Sequence, residues 1–325
     1  MATATTFSVQ RFAQQLATQS VLWLMRQGLN LSSFIAQKAT GRWAFQVFCT
    51  PRGTSPKPKE SQILASAKRW ELPYTSLLGT SKTLVGYSWN EMGEKTVLLV
   101  HGWELHAGRM TPLVEPLVKQ GYRVIAFNAP AHGTGADRSS GTWTNGVEYA
   151  WAVNQVLSAH SDHTQLHGIV AHSIGCLATS YALAHYNREG ARKVVFIAPP
   201  SRLADFLFVF QTMTQFSKRV MAMLTTYFET TYRTKVREFD MRHLVRSIDV
   251  PLLFIHDKGD SVCSFDYTTS VVAEAPNAEF MQTENLGHLA ILRSPEVAER
   301  IITFLTDSVQ REYSTEQYQS VTSAV

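Results

Sequence analysis

From residue 95 onward the chain repeats one pattern: a short, mostly apolar run followed by a longer stretch with apolar residues three and four apart. The runs at 97–100, 122–127, 166–171, 193–198 and 251–256 are dominated by Val, Ile, Leu, Phe and Ala, as in strands buried on both faces. A weaker strand falls at 280–283. Helical spacing covers 110–120, 146–160 and 173–186, and Gly121 stops the first of these. A last helix takes Ser294 as its cap and Pro295 as its first residue, and runs to about residue 305. Strands alternating with helices of this length predict crossover units and a parallel sheet.

Before residue 95 the rhythm differs. Short strands are expected within 66–90. The segment 83–89 alternates and includes Val85 and Tyr87, which suits a half-buried strand. Residues 50–59, with Pro51, Gly53, Pro56 and Pro58, read as a linker. Residues 7–26 set Phe12, Leu16 and Trp23 near one helical face, an amphipathic helix suited to docking on the domain that follows. A second break comes at 199–248. No strand pattern occurs there, and the aromatic side chains Phe206, Phe208, Phe210, Phe216, Tyr227, Phe228 and Tyr232 point to inserted helices. The expected organisation is an N-terminal helix and linker (1–60), one α/β domain (61–198 with 249–310), a helical insertion (199–248) and a tail (311–325).

Composition narrows the class. Among 325 residues, 45% hydrophobic and 17% charged is ordinary for a globular protein. The net charge of +4 is uneven, because residues 1–59 hold seven Lys or Arg and no acid. The rest carries 23 basic and 26 acidic side chains, a net of −3, which leaves no nucleic-acid footprint in the α/β part. A basic leader suits contact with an anionic membrane surface. It also suits a solvated helix with exposed Lys and Arg, and an acid-poor organellar transit peptide. The apolar run at 21–25 is far short of a membrane span. Cys49, Cys176 and Cys263 are odd in number and widely spaced, so reduced thiols in a cytoplasmic protein are expected.

The chemistry concentrates at strand ends. In Ala171-His172-Ser173-Ile174-Gly175 a buried strand turns at once into a helix, with small residues two before and two after the serine. Such a turn lifts a serine hydroxyl above the sheet and sets the next amide, that of Ile174, at a helix start where it faces a developing oxyanion. A serine there can also simply cap the helix. The strand at 97–100 runs into His101-Gly102-Trp103, and the Trp103 amide is the second candidate donor. A serine nucleophile needs a base, and the base an orienting acid. His288, in Asn285-Leu286-Gly287-His288, follows the last strand. Asp260, in Asp257-Lys258-Gly259-Asp260, follows the strand at 251–256, with Asp257 as the alternative acid. His256 reads as a strand-end residue near that acid, and His185 and His243 as helical residues.

Residues from about 80 to 305 thereby resemble the α/β-hydrolase superfamily in its esterase- and lipase-like branch. His101-Gly102 looks like the family's oxyanion strand end. Asn128-Ala129-Pro130-Ala131-His132-Gly133 resembles its Asp-x-Pro-x-x-Gly loop, and Ala171 to Gly175 its nucleophile elbow. Two positions depart: Ala171 stands for the first elbow glycine, and Asn128 for the usual aspartate. The resemblance implies an eight-stranded, mostly parallel sheet flanked by helices, with a helical cap after the sixth strand, where 199–248 lies. It also implies a Ser173–Asp260–His288 triad with Trp103 and Ile174 as oxyanion donors.

No dinucleotide loop, phosphate loop or His-Glu-x-x-His motif occurs, so no cofactor or metal is expected. The expected activity is hydrolysis of an apolar carboxylic ester or thioester through an acyl-enzyme. An acyltransferase or perhydrolase on the same triad, and a non-catalytic hydrolase-fold receptor, are the alternatives.

Overall fold

The computed structural model describes residues 23–24, 26–161, 166–275 and 278–307. The helix expected over 7–26 therefore lies almost wholly outside the described residues, and the tail expected over 311–325 lies wholly outside them. Among the described residues no helix is long and apolar enough to cross a membrane.

Eight strands form one sheet: β1 (Lys68–Thr75), β2 (Ser81–Trp89), β3 (Thr96–Val100), β4 (Arg123–Asn128), β5 (Gly168–His172), β6 (Val194–Ile197), β7 (Leu252–Asp257) and β8 (Ala278–Thr283). Their order is β1-β2-β4-β3-β5-β6-β7-β8. β2 pairs antiparallel with β1 and β4, and every pairing from β4 to β8 is parallel. Burial follows the apolar pattern. β5, β6 and β7 are buried at every position, whereas the edge strand β1 exposes most of its residues and tolerates Pro73.

Helices cover both faces: α1 (Gln37–Phe48), α2 (Pro58–Ala65), α3 (Val114–Lys119), α4 (Gly146–His160), α5 (Ile174–His185), α6 (Leu203–Thr214), α7 (Lys218–Tyr232), α8 (Phe265–Val272) and α9 (Pro295–Thr306). Two expectations need adjustment. The linker read over 50–59 gives way to α2 already at Pro58, because proline at a first helical position lacks only an amide that would be unpaired anyway. The helix read over 110–120 begins as a tighter turn, Ala107–Leu113, and becomes α-helical only past Pro112, whose ring nitrogen cannot donate.

The interval between β6 and β7 folds as α6, α7 and shorter helical turns, without a strand. Its two ends are stitched together: Leu203 N–H donates to the Phe239 carbonyl at 3.0 Å, and Arg202 bridges Asp240 antiparallel. The insertion thus leaves and re-enters the domain at one point above the sheet. The basic N-terminal region is also tied to it. Phe45 of α1 is 1% exposed and sits in an aromatic cluster with Trp143, Tyr227, Phe228 and Tyr232.

Candidate active site

The carboxyl ends of β3, β5, β7 and β8 converge, and each supplies one piece of the site. β5 enters α5 through Ser173, which holds φ 54° and ψ −130°. That left-handed backbone disfavours a side chain bearing Cβ and persists only where the surroundings impose it. Two contacts do so. The Ser173 amide is tied to the Ile197 carbonyl at 3.0 Å, and α5 starts against the end of β3. A Cβ on Gly175 would lie 2.4 Å from the His101 carbonyl oxygen, so only glycine allows this close approach.

Ser173 Oγ lies 2.9 Å from His288 Nε2, and His288 Nδ1 lies 2.7 Å from Asp260 Oδ2. Because the carboxylate can only accept, Nδ1 carries the proton and Nε2 is left to accept from the serine hydroxyl. Asp260 accepts four hydrogen bonds. His256 Nε2 donates to Oδ2 at 3.1 Å, and the Val262 and Cys263 amides donate to Oδ1 at 2.7 and 3.0 Å. Burial alone would raise its pKa. The donors from His256, His288 and Cys263 outweigh burial and hold the carboxyl far below its ordinary range. His256 is itself oriented, its Nδ1 accepting from the Thr268 hydroxyl at 2.7 Å.

Asp257, the alternative acid, does different work. It accepts from the Thr283 hydroxyl (2.8 Å), the Leu286 amide (3.0 Å) and the Gly259 amide (2.9 Å). The first two of these bonds anchor the loop carrying His288. Burial would raise the Asp257 pKa, and the loop amides of Gly287 and Leu286 and the Thr283 hydroxyl bring it below the ordinary value.

Ile174 opens α5, so its amide is one of the first-turn N–H groups without an intrahelical acceptor. Trp103 stands across from it after β3, its indole edge-on to His132 with ring centroids 5.1 Å apart. The loop beneath Trp103 is fixed by neutral imidazoles. His101 Nδ1 donates to the Gly102 carbonyl at 2.7 Å, and its Nε2 accepts from the Ala129 amide at 3.0 Å. His132 Nε2 accepts from the Glu104 amide at 3.1 Å. Burial drives the His101 pKa well down and lowers that of His132 to about 4, so both rings stay uncharged. Asn128, the departure from the family's aspartate, makes neutral bonds on both sides of the loop. Its Oδ1 accepts from the Ala107 amide at 2.8 Å, and its Nδ2 donates to the Asp137 carbonyl at 2.6 Å.

Three further residues border the site. His172, adjacent to Ser173, donates from Nε2 to the His288 carbonyl at 2.8 Å, and burial next to His288 lowers its pKa to about 3. His256, expected at the strand end near Asp260, also hydrogen-bonds that carboxylate. Cys263 lies beside Ser173, but burial and the Asp260 charge push its thiol up to about 12, so it remains protonated.

An apolar cavity of about 110 Å³ opens beside the two candidate oxyanion donors. Trp103 and Ile174 are among its lining residues. Leu177, Phe206, Leu207 and Phe228 follow from α5, α6 and α7, and Phe45, Phe48 and Cys49 come from the N-terminal segment.

Comparison with known proteins agrees with this architecture. The family model described as the alpha/beta hydrolase fold matches residues 95–236. No curated protein matches the sequence. Among solved structures, an esterase of Pyrococcus furiosus is 21% identical, with a TM-score of 0.59 over 79% of this chain and 98% of that one. A bromoperoxidase from Bacillus anthracis is 18% identical, with a TM-score of 0.54 over 73% of this chain and 100% of that one. A thioesterase domain from the curacin biosynthetic pathway is 16% identical, with a TM-score of 0.53 over 74% of this chain and 99% of that one. The protein therefore has the α/β-hydrolase fold: an eight-stranded, mostly parallel sheet with flanking helices.

Proposed function

We propose that the protein is a serine hydrolase that cleaves a carboxylic ester or thioester with an apolar acyl group through an acyl-enzyme. The observation that carries this reading is the continuous hydrogen-bonded relay Ser173–His288–Asp260 on three separate strand-end loops. The esterase and thioesterase among the structural neighbours support it.

In the proposed reaction Ser173 Oγ attacks the acyl carbon while His288 Nε2 takes its proton. The carbonyl electron pair moves onto oxygen, and the amides of Trp103 and Ile174 hold that oxyanion. Collapse expels the alkoxide or thiolate, which takes the proton from His288. Water then attacks the acyl-enzyme, with His288 again accepting and returning a proton. Asp260 never takes the proton; it fixes the tautomer and stabilises the imidazolium. The helices α6 and α7 act as a cap whose apolar side chains take the acyl group.

A panel of p-nitrophenyl esters and acyl thioesters tests the reading. Wild-type protein turns over at least one member, and Ser173→Ala lowers kcat by on the order of 10⁶. Turnover that survives in Ser173→Ala contradicts it. Transfer to an added alcohol or to hydrogen peroxide in preference to water would reassign the same triad to acyl transfer or perhydrolysis.

A further inference from the structure

Helix α1 precedes the region that the hydrolase family model covers, yet it is packed into the insertion rather than laid on the surface. A Cβ on Gly41 would come within 2.5 Å of the Met223 carbonyl oxygen of α7, so the two helices touch backbone to backbone. Phe48 stands edge-on to Phe210 of α6 with centroids 5.0 Å apart, and the Cys49 carbonyl accepts from the Thr144 amide at 2.8 Å. Seven basic residues and no acid in positions 1–59 would suggest a solvated leader. Instead, Phe45, Phe48 and Cys49 line the same apolar cavity as Trp103 and Ile174.

We propose that α1 is the specificity wall of the acyl site, and that the site takes a compact apolar acyl group, a linear chain up to about hexanoyl. This rests on the proposed hydrolase reading and adds the substrate class. The size limit comes from volume. A dry apolar cavity of about 150 Å³ holds one benzene molecule, and this cavity is smaller, at about 110 Å³, and lined almost wholly by carbon. Apart from Asn145, Trp103 and the Cys49 thiol its lining residues are all aliphatic, phenylalanine or glycine, so little in it would favour a charged or hydroxylated acyl group. Each methylene that fits adds about threefold to fourfold in binding. The gain ends where the chain meets Phe45 and Phe48.

The test is kcat/KM along a series of linear p-nitrophenyl esters from acetate to dodecanoate, for wild type, Phe48→Ala and Phe48→Leu. Each protein is first checked for thermal unfolding and for labelling of Ser173 by a small fluorophosphonate. Wild type is expected to rise to a maximum between butanoate and hexanoate and to fall at least tenfold by dodecanoate. Phe48→Ala is expected to move the maximum by two to four methylenes, and Phe48→Leu, which keeps most of the volume, by one. A flat or rising wild-type profile through dodecanoate, or an unchanged maximum in a folded and labelled Phe48 variant, overturns the wall while leaving the hydrolase intact. If Phe48→Ala does not fold, Phe48→Leu alone decides. Wild-type protein that neither labels nor turns over any ester fails the underlying reading instead.

Discussion

His256 and His288 donate to the same oxygen of Asp260, at 3.1 and 2.7 Å. The carboxylate is therefore held from two sides, by the His288 imidazole and by the His256 ring, whose Nδ1 accepts from the Thr268 hydroxyl at 2.7 Å. Replacing His256 with phenylalanine removes one donor and leaves the Asp260 carboxylate a stronger base toward His288. The expected result is a fall in kcat/KM of about tenfold and a move of the acid limb of its pH profile to higher pH. Thr268→Val should reproduce the shift more weakly. An unchanged profile in a folded His256→Phe protein would mean that the second imidazole only fills space.

The two aspartates of the β7 loop separate by role. Asp260→Asn should preserve the fold and lower kcat by up to ~10⁴, because the amide can hold His288 in the wrong tautomer. Asp257→Asn removes charge from two hydrogen bonds that fix the His288 loop, those from Thr283 and Leu286, and from the one in the Gly259 turn. Its main cost should be stability, with about a tenfold loss of kcat/KM from looser positioning. Steady-state kinetics and urea unfolding of both variants decide the assignment, and the reverse ranking in kcat would make Asp257 the acid.

Asn128 gives a test in the opposite direction from the family pattern. Restoring aspartate there would turn the group that donates to the Asp137 carbonyl at 2.6 Å into an acceptor. A partly buried carbonyl would then face a carboxylate oxygen with no proton between them, at a cost of about 1–3 kcal/mol. Chemical unfolding of Asn128→Asp should register that loss, and a variant as stable as wild type would contradict the bonding described.

Acid should destabilise the protein before the carboxylates titrate. His132 and His172 fold with pKa values of about 4 and about 3, both lowered chiefly by burial, from the ordinary 6.5. Between those values and 6.5 the unfolded chain binds more protons than the folded one. The stability they confer is complete above about pH 6.5 and is lost as pH falls toward 4 and then 3, at about 1.4 kcal/mol per pH unit for each ring. Urea midpoints at pH 7.5 and 5.0 should therefore differ clearly. Equal midpoints would show that these rings are protonated in the folded state.

Much of this was legible in the sequence, for identifiable reasons. Strands buried on both faces announce themselves as apolar runs, and small residues around Ser173 and before His288 mark turns that little else permits. Asp260 and His288 stand out in the sequence because chain order and strand-end position constrain them, and the two lie within hydrogen-bond reach of each other. What stayed hidden depended on contacts between distant segments. Nothing in the local pattern of α1 distinguishes a helix on a surface from one whose Phe45 enters the core, because only the approach of Gly41 to Met223 makes it a wall. The supporting roles of His172 and His256 likewise lie in hydrogen bonds spanning 116 residues in one case and a single β7 turn in the other.

The central claim is that Ser173 is the nucleophile, and covalent labelling tests it most directly. Wild-type protein treated with a fluorophosphonate at pH 8, digested and mapped by mass spectrometry should carry the adduct on the peptide containing His172-Ser173-Ile174. Ser173→Ala should carry none, and His288→Gln should label slower by several orders of magnitude. An adduct on any other residue, or equal labelling of Ser173→Ala, would contradict the account.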